Sequence, residues 1–88
     1  MIPRFGRRDL VEEDIITTLE RCGFHVERIS AAGIPDLLLS RGGRWFVAEV
    51  KGAKGRLTKA QNIFHQQARA PIPILRSIEQ AVEWSRSV

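Results

Sequence analysis

The feature that most constrains this fold is a pair of short apolar segments joined by two glycines. Residues 36–40 and 45–51 are both rich in strand-forming side chains, and Arg-Gly-Gly-Arg at residues 41–44 connects them. A connection this short with a Gly-Gly pair is typical of a tight β-hairpin. The sequence therefore predicts two antiparallel neighbouring strands, with side chains that alternate between the two faces of a sheet.

Helical patterns lie on both sides of this hairpin. Apolar spacing predicts a first helix over residues 10–22, and a strand follows over residues 24–29. Thr58 and Ser77 each precede a glutamine by three residues, which is a helix-capping pattern, and residues 72–76 can form a strand between the two helices. The predicted order is helix, three strands, helix, strand, helix. This order indicates an α/β fold with a mixed sheet of about four strands flanked by helices.

The apolar spacing within the last two helices also predicts which of their sides are buried. The stripe of the second helix consists of Ala60, Ile63, Phe64 and Ala68, and that of the third consists of Ile78, Ala81 and Val82. Trp84 lies off the third helix's stripe, so it is a candidate for a subunit contact, with ordinary surface packing as the alternative.

The length of the chain limits how much apolar surface it can bury. Its 88 residues form one predicted domain, 1–88, in which residues 1–8 are a basic N-terminal arm. A domain of this size buries only about 60 to 65% of the surface exposed by its unfolded chain. Pairing with a second copy would complete the packing, so we expect an oligomer.

Charge and cysteine content narrow the class of protein. Fourteen Lys and Arg against ten Asp and Glu give a net charge of +4, which favours a polyanionic partner, nucleic acid above all. The single cysteine, Cys22, excludes an intramolecular disulfide and a thiolate zinc cluster. No apolar run approaches the ~18 residues that span a bilayer, so we expect a cytoplasmic protein that is neither secreted nor embedded in a membrane.

Two carboxylates and an amine are predicted to converge at one end of the hairpin. Strand alternation places Glu49 and Lys51 on the same face, and Asp36 opens the preceding strand. Mg²⁺ accepts one or two carboxylates and leaves its other positions to water and phosphate. A metal ion held there, with Lys51 beside it, could hydrolyse a phosphodiester.

These residues also resemble a known signature. Gly-Ile-Pro-Asp at residues 33–36 followed by Glu-Val-Lys at 49–51 resembles the PD-(D/E)XK nucleases. The glycine-rich residues 52–55, with Leu57, Gln61 and a glutamate in the first helix, narrow the resemblance to the small stand-alone form of the VRR-NUC family. The similarity covers residues 12–82. It implies a restriction-endonuclease-like core of αβββαβα order and Mg²⁺- or Mn²⁺-dependent cleavage of DNA.

The resemblance also implies a role for each matching residue. Asp36, Glu49 and the backbone carbonyl of Val50 would be metal ligands, and Lys51 would be the catalytic lysine. Glu12 would contact the metal directly or through water, and Gln61 would complete the catalytic group. Small stand-alone members are associated with homodimers that resolve four-way (Holliday) DNA junctions, which implies a dimeric nuclease for branched DNA.

Several of these assignments have structural alternatives. Glu12 can form a capping box with Asp9, and its neighbour Glu13 could replace it at the metal, while Gln61 can serve the Thr58 cap. Trp45 shares the face of Glu49 and could wall a cleft, stack on a base or pack in the core.

The function has alternatives as well. Five basic residues near the hairpin and the following loop are predicted to contact DNA, although such runs are often only solvated; they are Arg41, Arg44, Lys54, Arg56 and Lys59. One alternative function is a non-catalytic DNA-binding module that uses this basic face. Another is a nuclease for flaps or linear DNA.

Overall fold

The protein has an α/β fold with one mixed four-stranded sheet. The computed structural model describes the backbone of residues 7–88 and the side chains of residues 10–88. Three helices and four strands lie within residues 7–88, in the predicted order: α1 (Arg7–Arg21), β1 (His25–Arg28), β2 (Leu37–Arg41), β3 (Arg44–Val50), α2 (Lys59–Gln67), β4 (Ile74–Leu75) and α3 (Ile78–Ser87). No helix among these residues is long and apolar enough to cross a membrane.

The sheet has the strand order β1-β2-β3-β4. The first three strands are antiparallel neighbours, and β4 runs parallel to β3. The predicted hairpin between β2 and β3 is confirmed, since Arg41 is paired with Arg44 across a two-residue turn. Gly42 and Gly43 have φ of 61° and 76°, which glycine adopts without the steric cost that a Cβ would bring.

One face of the sheet carries the hydrophobic core. Alternate residues of β2 and β3 point toward α1 and α3, and the side chains in this layer are almost fully buried; among them are Ile15, Leu19, Leu37, Leu39, Ala48, Val50 and Ala81. Because α1 and α3 both pack on this face, the opposite face of the sheet is left to α2.

The opposite face is only partly covered. Gln61 and His65 of α2 reach Glu49 near the end of β3. Near the start of β3, on the same face, Trp45 is 71% exposed. This face of the sheet is therefore covered by α2 near Glu49 and is open near the hairpin turn, at Trp45.

The first helix begins earlier than the sequence pattern predicted. It starts at Arg7, so Arg7 and Arg8 belong to α1 and not to a separate arm, and Asp9 lies inside the helix and not at its N-cap. Arginine is a good helix former, which favours this extension toward the N-terminus. The rest of the predicted arm, residues 1–6, lies outside the described residues.

The buried sides of α2 and α3 also differ from the prediction. Ile63 and Ile78 are each 45% exposed, while Gln61 is buried in α2. On α3, Ala81 of the predicted stripe is fully buried, but Trp84 also turns inward and stacks on Phe24 with ring centroids 5.3 Å apart, so the prediction was wrong for Ile78 and Trp84. The larger aromatic ring gains more from burial than isoleucine does, and it determines how the helix is rotated.

Candidate active site

The site begins at the turn before β2. Gly33 has φ of 80°, and a Cβ at this position would lie 3.1 Å from the Ala60 Cβ of α2. A glycine therefore lets the Gly-Ile-Pro turn lie against α2. The turn delivers Asp36 to the end of β3, where its Oδ2 accepts a hydrogen bond from the Val50 N–H at 2.9 Å.

The same geometry orients the Val50 carbonyl. In a β-strand, the N–H and C=O of one residue point to the same edge. Because the Val50 N–H points at Asp36, its carbonyl oxygen is directed toward that edge as well. The backbone carbonyl predicted as a metal ligand thus lies on the same side of β3 as Asp36.

Glu49 is the most perturbed acid of the site. Its side chain is 0% exposed, and it shares a hydrogen bond with Asp36. Burial, together with the hydrogen bond and negative charge of Asp36, raises the pKa of Glu49 to about 8, against the opposing effect of Lys51. The raised pKa keeps Glu49 largely protonated at neutral pH, so Glu49 donates this hydrogen bond and the two acids share its proton.

Gln61 connects the acid to the lysine. Its Oε1 accepts from Lys51 Nζ at 2.7 Å and from the Thr58 N–H at 2.9 Å. With the oxygen occupied in this way, the amide Nε2 is left to donate toward Glu49 Oε2 at 3.5 Å. Lys51 is 3% exposed, so its ammonium is held in place by Gln61 and by the charge of the carboxylates.

Gln61 also completes the capping box of α2. The Thr58 hydroxyl accepts from the Gln61 N–H at 3.1 Å, and this pair of bonds defines the start of the helix. The two roles weighed for Gln61 are therefore compatible, because one side chain caps the helix and holds Lys51.

His65 belongs to this cluster, although the sequence analysis did not include it. Its Nε2 lies 3.1 Å from Glu49 Oε1, and its side chain is mostly buried. His65 follows Gln61 by four residues, a spacing that places both on one side of a helix. Once Gln61 had been identified, that spacing could have indicated that His65 lies beside it.

Arg76 is a second residue that the sequence did not single out. Its Nη1 donates to the carbonyl of Gly52 at 2.7 Å and to that of Gly55 at 2.6 Å. These bonds hold the glycine-rich loop directly after Lys51. No local spacing could have predicted them, because Arg76 lies more than 20 residues away in the chain.

The donor set can be compared with the needs of a metal ion. Among the described residues, no group of three or more His, Cys, Asp or Glu side chains is placed to hold a metal, so Glu12 does not join Asp36 and Glu49 in such a cluster. Glu12 is half-buried on α1, and Glu13 is exposed. Two carboxylates and a carbonyl still fit Mg²⁺, which usually takes one or two protein carboxylates and completes its shell with water and phosphate.

Four of the predicted DNA contacts are exposed. Lys54, Arg56 and Lys59 lie on and beside the loop that Arg76 holds. Arg44, at the start of β3, is exposed with its guanidinium 5.0 Å from the centroid of the Phe46 ring. All four cations can therefore reach a phosphate.

Arg41 has a structural role instead. Its guanidinium donates to the carbonyls of Cys22, Ser85 and Val88 at 2.7 to 3.1 Å and lies 4.1 Å from the Phe24 ring centroid. Alternation along β2 turns this side chain toward the helices, where it satisfies carbonyls at the ends of α1 and α3. We therefore leave Arg41 out of the proposed DNA-binding surface.

The cluster has groups that could offset negative charge on a phosphate and exchange protons with it. Asp36 is half-buried while Glu49 and Lys51 are buried, so Asp36 is the most accessible of the three side chains. A phosphate arriving there would meet a fixed ammonium and two acids that share one proton. No family model, curated protein or solved structure matches this chain.

Proposed function

We propose that this protein is a metal-dependent DNA endonuclease of the PD-(D/E)XK type, similar to the VRR-NUC family. The observation that supports this most strongly is the convergence of Asp36, Glu49 and Lys51 around Gln61 at the end of the hairpin. A buried glutamate with a raised pKa, in contact with a second acid and close to a buried lysine, is unusual for a purely structural cluster and is typical of a functional site.

Each residue has a distinct task in this proposal. Asp36, Glu49 and the Val50 carbonyl would hold Mg²⁺ or Mn²⁺. When bound, such an ion polarises the scissile phosphate and makes a bound water more acidic. Lys51, fixed by Gln61, orients the attacking water or offsets the negative charge that develops on the phosphate oxygens.

The proton shared by the two acids links metal binding to pH. It has to leave before Asp36 and Glu49 can both act as anionic ligands. Metal affinity is therefore expected to rise as the pH rises toward 8. His65, within 3.1 Å of Glu49 Oε1, helps to hold that carboxyl in one orientation.

The exposed cations supply the grip on the DNA backbone. Lys54, Arg56, Lys59 and Arg44 would contact phosphates without reading sequence. We further propose a homodimer that cleaves branched DNA, four-way junctions above all. Two identical sites related by a two-fold axis suit a substrate with two equivalent strands to cut.

Cleavage assays test the proposal directly. Labelled linear, flapped and four-way DNA would be incubated with Mg²⁺, with Mn²⁺ and with excess chelator. We expect cutting only with a divalent ion, and we expect Lys51→Ala to keep DNA binding while losing cleavage. Arg86→Ala, which removes an exposed cation from α3, is the matched control and should cut normally. Equal cutting in chelator would refute the proposal, and binding without cutting under any condition would favour the non-catalytic module.

Two further measurements address the first-helix acid and the assembly. Glu12 is outside the direct ligand set but would contact the ion through a bound water, so Glu12→Gln should weaken Mn²⁺ binding in calorimetry, while the same change at the exposed Glu13 should not. Light scattering should give about twice the 10.0 kDa chain mass, and a synthetic junction should receive paired, symmetric nicks. A monomer that prefers flaps would contradict the dimer and leave the nuclease proposal intact.

A further inference from the structure

A hollow lies beside the first half of β3. The strand β4 pairs only with Glu49 and Val50, so residues 44–48 of β3 have no β4 partner within the described part of the chain. A hollow of about 420 Å³ lies there, lined mainly by apolar side chains. Its exposed wall is Trp45, which is 71% exposed although it stands on a strand of the central sheet.

The walls of the hollow come from the β2–β3 hairpin and from a proline-containing segment before β4. Leu38 and Val47 face each other in the β2–β3 register, and Pro71 and Pro73 form the opposite side. Among the ten residues that line it, Arg44 is the only one with a charged side chain. The hollow thus has an aromatic wall, an apolar floor and a cation beside it.

This hollow lies beside the strand that carries Glu49 of the candidate active site. Pro73 lines it, and the carbonyl of the same residue accepts the Glu49 N–H at 2.9 Å. Trp45 and Glu49 stand on the same face of β3, four residues apart, which corresponds to about 13 Å along a strand. A nucleic-acid strand with one phosphate near Glu49 would therefore bring a base to Trp45 within a few nucleotides.

We propose that the hollow receives an unpaired nucleobase of the DNA substrate, stacked on Trp45 and with its phosphate beside Arg44. This inference rests on the proposed nuclease function and names the feature by which the substrate is selected. The net charge of +4 and the cation at the hollow favour a polyanion, and a flat aromatic ring on an exposed strand is the platform that single-stranded nucleic acids use.

The inference explains how branched DNA could be distinguished from an intact duplex. A base within a duplex has to be unstacked and unpaired before it can enter, which costs free energy and weakens binding. A base at a junction, flap or bulge is already partly unstacked or unpaired, so less free energy is needed to place it in the hollow. Selectivity then comes from the availability of the base, without any reading of sequence.

Binding measured without catalysis tests this. Lys51→Ala protein in chelator would be titrated into labelled duplex, into the same duplex with a three-nucleotide bulge, and into a four-way junction. Adding Trp45→Ala should weaken binding to the bulged DNA about 10- to 100-fold, the range expected for loss of one stacked base, and binding to intact duplex by no more than about twofold. Trp45→Phe should retain most of the affinity. Ile63→Ala, which removes another exposed apolar side chain outside the hollow, is the control and should change neither.

Each outcome bears on the inference in a definite way. Equal losses on bulged and intact DNA, no loss on either, or no detectable binding to any DNA would overturn it. If Trp45→Ala instead halves the particle mass in light scattering, the hollow is a contact between two copies and the inference fails. Cleavage that continues with no preference for unpaired bases defeats the inference alone, whereas Trp45-dependent binding without metal-dependent cleavage defeats the nuclease proposal alone.

Discussion

Replacing Glu49 with glutamine should change how the stability of the protein depends on pH. Glutamine has the shape of a protonated glutamate and carries no charge, so it can occupy the same buried position at any pH. In the wild type the side chain is fully buried, and burial with the adjacent Asp36 raises its pKa from the ordinary 4.5 to about 8.

The sign of the pH dependence follows from whether the folded or the unfolded state holds the Glu49 proton. Between pH 4.5 and about 8, the folded protein keeps the Glu49 proton while the unfolded chain has released it. The stabilisation is therefore complete below the unfolded pKa and is lost as the pH rises through the folded pKa. The full shift corresponds to a stabilisation on the order of 5 kcal/mol at about 1.36 kcal/mol per unit, and most of it is lost between pH 5 and pH 8.

Urea denaturation in chelator at several pH values measures this loss. The wild type should lose about 3 to 4 kcal/mol relative to Glu49→Gln between pH 5 and pH 8, which is a urea midpoint shift of about 2 to 3 M for a small domain. Glu27→Gln, which makes the same change at an exposed strand position, should follow the wild type. If the free energy of unfolding changed with pH in the same way in the wild type and in Glu49→Gln, the buried carboxyl would not retain its proton and the reasoning would fail.

The same assay tests the metal site. A divalent ion that takes the place of the shared proton removes the repulsion between Asp36 and Glu49. Saturating Mn²⁺ at pH 8 should therefore raise the wild-type midpoint, by about 2.7 kcal/mol of stability at one hundred times the dissociation constant. Glu49→Gln should show little or no gain. An equal gain in both proteins would place the ion elsewhere.

Three other substitutions test the remaining parts of the structure. Gln61→Leu leaves the buried Lys51 ammonium without its acceptor, and we expect a loss of about 2 to 3 kcal/mol in urea denaturation together with a loss of cleavage; unchanged stability would contradict this. Arg41→Ala removes three carbonyl contacts and should cost about 2 to 3 kcal/mol without altering the affinity for DNA, so weaker DNA binding by the folded variant would restore Arg41 as a DNA contact. Replacing Lys54 and Arg56 together with alanine should weaken binding equally on unrelated sequences and reduce the slope of log K against log salt by about 2, whereas a changed cutting preference at unchanged affinity would refute this.

The sequence alone determined the features that depend on neighbouring residues. The Gly-Gly hairpin, the alternation that puts Glu49 and Lys51 on one side of β3, and the Thr58 capping box were all predicted and are all present. Each is set by backbone preferences within about ten residues, so a local pattern is enough to identify it. The position of Asp36 beside Glu49 follows from the hairpin register and was predicted for the same reason.

Only the tertiary structure decided which side chains meet across the fold. Arg41 bonds to carbonyls at the ends of two helices, and Arg76 bonds to the loop after Lys51, in both cases mainly with residues that are distant in the chain. Trp84 is turned inward by its stacking on Phe24. These contacts depend on how helices rotate against the sheet, and packing sets that rotation where spacing along one helix had favoured another stripe.

Burial is the quantity that the sequence could least provide, and it controls the chemistry of the site. Glu49 and Trp45 stand on the same face of the same strand, so alternation treats them alike. Their burial differs in the structure because α2 covers one end of that face and leaves the other end open. The covered acid thereby acquires a raised pKa, and the open tryptophan is free to meet a partner, since desolvation depends on which element lies above a residue and not on the residue itself.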